Sequence, residues 1–80
     1  MKLPRDVSGA DLANRLGRLG YTSTRQTGSH LRLSTSEHDQ RHVTISNHDP
    51  LKAGTLAAIL NDVAAHLEIS REELIQRLFG

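Results

Sequence analysis

Gly28-Ser29-His30 and Arg32 are the residues of this chain best suited to chemistry. His30 opens the alternating run His30-Leu31-Arg32-Leu33-Ser34, and a strand's period of two sends Leu31 and Leu33 to one side and His30, Arg32 and Ser34 to the other. Imidazole is the side chain best able to move protons near neutral pH, and guanidinium is the best planar partner for phosphate, so the pair suggests work on a phosphodiester. In a later run, residues 41–46, Val43 and Ile45 alternate in the same way and leave His42, Thr44 and Ser46 on the face of His30 and Arg32. Such a face offers what transesterification needs: a base for a 2′-hydroxyl, a proton source for the leaving oxygen and a cation for the developing phosphorane charge. The same residues also describe a solvated strand face with no role.

Other chemistries fit the sequence poorly. His38 and His42 are four apart, a spacing that suits two metal ligands on a helix, but they fall in a turn and a strand, and no carboxylate cluster accompanies them. We therefore expect no metal and no cofactor. Ser29 and His30 are neighbours on a strand and point apart, and the G-x-S-x-G elbow of serine hydrolases is absent. Lys52-Ala53-Gly54-Thr55 lacks the Walker spacing, although a helix beginning there could still hold one phosphate. Tyr21 and Phe79 are the only aromatic residues, which argues against base-stacking modules and for contacts to backbone and 2′-hydroxyl.

The elements that must position these residues can be read from spacing and caps. Eighty residues correspond to one domain, 1–80. Ser8-Gly9-Ala10-Asp11 reads as a capping box, and Leu12, Leu16 and Leu19 follow at helical spacing, predicting a helix from about Gly9 to Leu19 with Gly20 as its left-handed stop. Strands are predicted at Tyr21–Arg25, His30–Ser34 and Arg41–Ser46, with a turn at Gln26-Thr27-Gly28 and a polar turn at 35–40. Leu56, Ile59, Leu60, Val63 and Leu67 form the stripe of a helix from about Thr55 to Ala65. A last helix starts at the capping box Ser70-Arg71-Glu72-Glu73 and buries Leu74, Ile75, Leu78 and Phe79. The expectation is an α+β fold, αβββαα, whose three-stranded antiparallel sheet has its helices on one face, leaving open the face that carries His30.

Charge divides along the chain. Residues 1–42 hold seven Lys/Arg against four acids, a net +3, whereas residues 43–80 hold three against five, a net −2. A basic half beside an acidic one suits a small polyanion-binding surface. There is no cysteine, no apolar stretch of signal-peptide length at the start and no run near the ~20 apolar residues of a membrane span, so a cytoplasmic protein without membrane contact is expected.

Arg25 followed by Gly28-Ser29-His30, a strand ending near His48, and Leu51-Lys52-Ala53-Gly54-Thr55-Leu56-Ala57-Ala58-Ile59-Leu60, in that order, resemble the HicA (YcfA-like) toxins of prokaryotic toxin-antitoxin pairs. The resemblance implies a fold similar to the double-stranded-RNA-binding domain, a metal-independent mRNA interferase activity, and a HicB-type antitoxin that forms a hetero-oligomer with the toxin and silences it. The family's catalytic histidine falls on His30, and its preceding glycine on Gly28. This chain departs from many members at Ser46-Asn47, often apolar or proline there, and at Leu31, often a second histidine. On this reading Arg25, Gly28, Ser29, Arg32 and His42 contact RNA and its phosphates. Arg15 and Arg18, expected to point outward from the first helix, would meet an acidic antitoxin. The rival reading is a non-catalytic module for double-stranded RNA, which needs exposed lysines more than a histidine; only Lys2 and Lys52 are present. A protein-binding adaptor would need an exposed apolar patch that the strands do not offer.

Overall fold

Serine caps set two of the three helices. Ser8 Oγ accepts the Asp11 N–H at 3.0 Å and opens α1 (Gly9–Gly17); Ser70 Oγ accepts the Glu73 N–H at 3.1 Å and opens α3 (Arg71–Phe79). Between them lie β1 (Thr22–Thr27), β2 (His30–Thr35), β3 (Arg41–Ser46) and α2 (Ala53–Leu67). The computed structural model describes residues 3–4, 6–35 and 41–80; the turn at 36–40 with His38, and Lys2, lie outside the described residues. The strands form one antiparallel sheet in the order β1-β2-β3, so the fold is αβββαα, α+β with an open three-stranded sheet.

The sheet is two-faced because its strands alternate. Leu31, Leu33, Val43 and Ile45 are buried beneath the helices, while His30, Arg32, His42 and Thr44 are exposed. α1 lies across all three strands, whereas α2 packs on β3 and against α3. Leu12 and Leu16 of α1, Leu60 and Val63 of α2, and Leu74 and Leu78 of α3 complete the core.

Element ends differ from the sequence expectations for local reasons. α1 stops at Gly17, and the chain tightens into N–H bonds from Leu19 to Leu16 and from Gly20 to Gly17 before Gly20 turns left-handed at φ +98°. β1 begins at Thr22 and reaches Thr27 because the turn takes only Gly28 and Ser29; Gly28, at φ +53°, fills the first central position of a type II′ hairpin. Tyr21, expected in that strand, is buried instead. α2 starts at Ala53 and runs to Leu67, ended by Glu68 in the left-handed region (φ 57°), a stop that no glycine advertises.

Arg15 is the clearest correction. Far from pointing outward, its Nη1 donates to the Leu78 carbonyl at 2.7 Å, its Nε donates to Asp11 at 3.1 Å, and its guanidinium lies 4.6 Å from the centre of the Phe79 ring. Phe79 is accordingly half-buried, and this contact fastens α3 to α1.

The buried Tyr21 hydroxyl lies 3.0 Å from His66 Nδ1 and shares a hydrogen bond with it. Burial lowers the His66 pKa, and the positive Arg41 lowers it further against the opposing pull of Asp62. The folded state therefore binds a proton at His66 less readily than the unfolded chain, so stability is complete above the ordinary histidine value of 6.5 and declines as the pH falls below it. Urea midpoints measured between pH 8 and 5 are expected to fall on acidification, and to fall less in His66→Gln. An equal slope in the variant would assign the loss to other groups.

Candidate active site

The register sorts the open face into rows. Arg25 pairs directly with Arg32, and Arg32 with Thr44; the neighbouring row holds His30 opposite Ser46; the row on the other side holds Ser34 opposite His42. A β-bulge between Ser23 and Arg25 brings the two arginines opposite each other, with the Thr24 hydroxyl donating to the Arg32 carbonyl at 3.3 Å. Like charges directly opposite destabilise a sheet, on the scale of the ~0.2–1 kcal/mol that cross-strand pairs contribute. Nothing in the sheet offsets this, since the three strands contain Arg25, Arg32 and Arg41 but no Asp or Glu. The charge asymmetry is thus between an acid-free sheet and acid-bearing helices more than between two halves of the chain, and a face of this kind attracts a polyanion.

His30 occupies the first position of β2, directly after the hairpin turn. The turn is held from the other side by the Asn47 N–H, which donates to the Ser29 carbonyl at 2.6 Å and carries the β2–β3 ladder past its last paired residues. Arg32 lies two residues along the same face, about 7 Å away, within reach of a phosphate held at His30. Gly28 and Ser29 are exposed beside it. The structure thus brings together His30, Arg32, Arg25, Gly28 and Ser29. It does not bring His42, which shares the face but sits two rows off, about 14 Å along the strands and too far to share one phosphate with His30. Arg18 is exposed at the end of α1, on its own now that Arg15 is bound to α3.

Sequence reasoning passed over the end of β3. There a cleft of about 310 Å³ is lined by Ser46, His48, Asp49, Pro50, Leu51, Lys52 and Thr55, and Ser46 in its wall is the cross-strand partner of His30. The alternation of His42, Thr44 and Ser46, carried two residues further, reaches His48; the Asn-His-Asp-Pro sequence hides this by reading as a loop. A larger cavity of about 420 Å³ lies between α1 and β1 on the helix side; Ala10, Ala13, Gly17, Leu31 and Leu33 line it, together with Tyr21, whose hydroxyl is engaged with His66. No group of three or more His, Cys, Asp or Glu that could hold a metal ion occurs among the described residues, and no helix there is long and apolar enough to cross a membrane.

These features define a small α+β domain with one face packed and the other open and basic. A family model described as the HicA toxin of bacterial toxin-antitoxin systems matches residues 9–64, and the chain belongs to that family. It is thus a toxin of the toxin-antitoxin class, whose membership implies an antitoxin partner of some kind. No curated protein and no solved structure gives a match. The matched span runs from the start of α1 into α2, and α3 lies beyond it although Leu74, Ile75 and Leu78 are core residues.

Proposed function

We propose that the chain is an endoribonuclease toxin, an mRNA interferase that cleaves RNA by attack of the substrate's own 2′-hydroxyl, without a metal ion. His30 acts as the principal acid/base, and Arg32 and Arg25 neutralise the scissile phosphate. The observation that carries this reading is the placement of an exposed imidazole beside two directly opposed guanidiniums on an acid-free sheet face. Such an arrangement costs stability and fits an anionic ligand. Gly28 and Ser29 let the RNA backbone approach the turn closely.

The chemistry is tested with RNA carrying a 2′-deoxy substitution at the scissile nucleotide. Cleavage of ordinary RNA is expected to proceed unchanged in EDTA and to yield a 2′,3′-cyclic phosphate, whereas the deoxy analogue resists. Cleavage of the analogue, or dependence on added Mg²⁺, would replace the internal nucleophile with an activated water.

The proposed antitoxin is HicB-like and silences the toxin, in the cytoplasm, by covering the open face and the exposed end of α1. Arg18→Glu is expected to weaken its binding, most strongly at low salt where attraction is least screened, while leaving Tm in place. Arg15→Glu should lower Tm as well, because it breaks the tie to Leu78 and Phe79. Normal binding by Arg18→Glu, with damage from Glu72→Lys and Glu73→Lys instead, would move the antitoxin to α3.

A further inference from the structure

Cleavage through a cyclic phosphate moves two protons, and His30 is a single imidazole. As the 2′-oxygen bonds to phosphorus its proton passes to a base, and as the bond from phosphorus to the 5′-oxygen breaks, that oxygen takes a proton from an acid. The products are a 2′,3′-cyclic phosphate and a 5′-hydroxyl, with no other reactant consumed. His42 lies about 14 Å away along the strands, too far to serve as the second group. We propose that His48 is that second proton-transfer group, facing the phosphate at His30 from the cleft at the end of β3, and that this cleft seats the neighbouring nucleotide. The inference rests on the reading of the chain as a cyclising ribonuclease.

Position supports it from several sides. Ser46, directly opposite His30, shares the cleft wall with His48, and the Asn47–Ser29 hydrogen bond keeps the chain in ladder register up to the residue before His48. The His48 backbone is fixed because its carbonyl accepts the Gly9 N–H at 2.9 Å, and the loop beyond it is fixed by the Leu51 N–H donating to the Val7 carbonyl at 2.7 Å. Its side chain stays exposed, so an anchored backbone presents a free imidazole. The cleft, at about 310 Å³, falls at the lower end of the ~300–1,000 Å³ typical of small-ligand sites. Lys52 brings a cation and Thr55 a hydroxyl for an adjacent phosphate; Asp49 brings a carboxylate, which restricts where that phosphate can lie.

The test compares the intact protein with His30→Gln and His48→Gln on two RNAs. One is an ordinary oligonucleotide; the other carries sulfur in place of the scissile 5′-oxygen, a leaving group that departs without a proton. His48→Gln is expected to cleave the ordinary RNA about 10²- to 10⁴-fold more slowly with Tm unchanged. On the sulfur substrate one of the two variants, the one lacking the acid, should return to near the wild-type rate while the other stays slow. Full activity of His48→Gln on ordinary RNA overturns the proposal, as does rescue of both variants or of neither, which would make His48 a binding residue only. If the wild type cleaves neither RNA, the ribonuclease reading itself falls and this inference with it, an outcome distinct from a variant that cleaves as well as its parent.

Discussion

Replacing His30 with alanine is expected to reduce RNA cleavage by about 10²- to 10⁴-fold, the usual contribution of a positioned acid or base, and to relieve growth inhibition in cells. The fold should survive. His30 is exposed, and surface substitutions of this kind stay within about 0.5 kcal/mol. In a domain of this size that is no more than about 4 °C in Tm. Cleavage and melting measured on one preparation separate the two effects. Full activity in the folded variant would sink the mechanism; loss of both together would show that His30 is structural.

A large effect on stability is expected at Gly9, in the first turn of α1. A Cβ there would run into the Ser46 carbonyl oxygen and come within 3.0 Å of the Asn47 Cα. Both obstacles are backbone, so neither can swing aside as a side chain would. Overpacking of this type costs about 1–3 kcal/mol and occasionally more. At about 4–8 °C per kcal/mol, Gly9→Ala should lower Tm by roughly 10 °C. Gly17→Ala is the control, since nothing lies within 4 Å of its added methyl, and the change should be neutral or stabilise by up to about 1 kcal/mol. Gly9→Ala should also slow cleavage, because the backbone it displaces carries Ser46, the cross-strand partner of His30. A variant with unchanged Tm would mean that α1 sits further from β3 than the structure places it.

These expectations draw on different layers of information. Alternation and caps are local: Leu31, Leu33, Val43 and Ile45 must share a face because successive strand residues point apart, and Ser8 and Ser70 satisfy free N–H groups only three residues away. Such relations involve neighbours in the chain, so the order αβββαα, the buried face and the exposure of His30 and Arg32 were legible from residues alone. The left-handed stop at Glu68 was not, because an unremarkable residue held there by its surroundings leaves no mark in the sequence.

Distances across the sheet belong to the tertiary structure. Alternation puts His30 and His42 on one face, but only the register separates them by two rows, sets Arg25 opposite Arg32 and brings the end of β3 beside His30. Arg15 shows the same limit, since its place on a short amphipathic helix says nothing of the Leu78 carbonyl, 63 residues away in sequence, that captures its guanidinium. The sequence by itself determined which strand residues face outward and what chemistry their types could perform. Folding alone decided which of them meet, because contact between distant segments depends on how strands and helices pack, and pattern within a segment carries no measure of that.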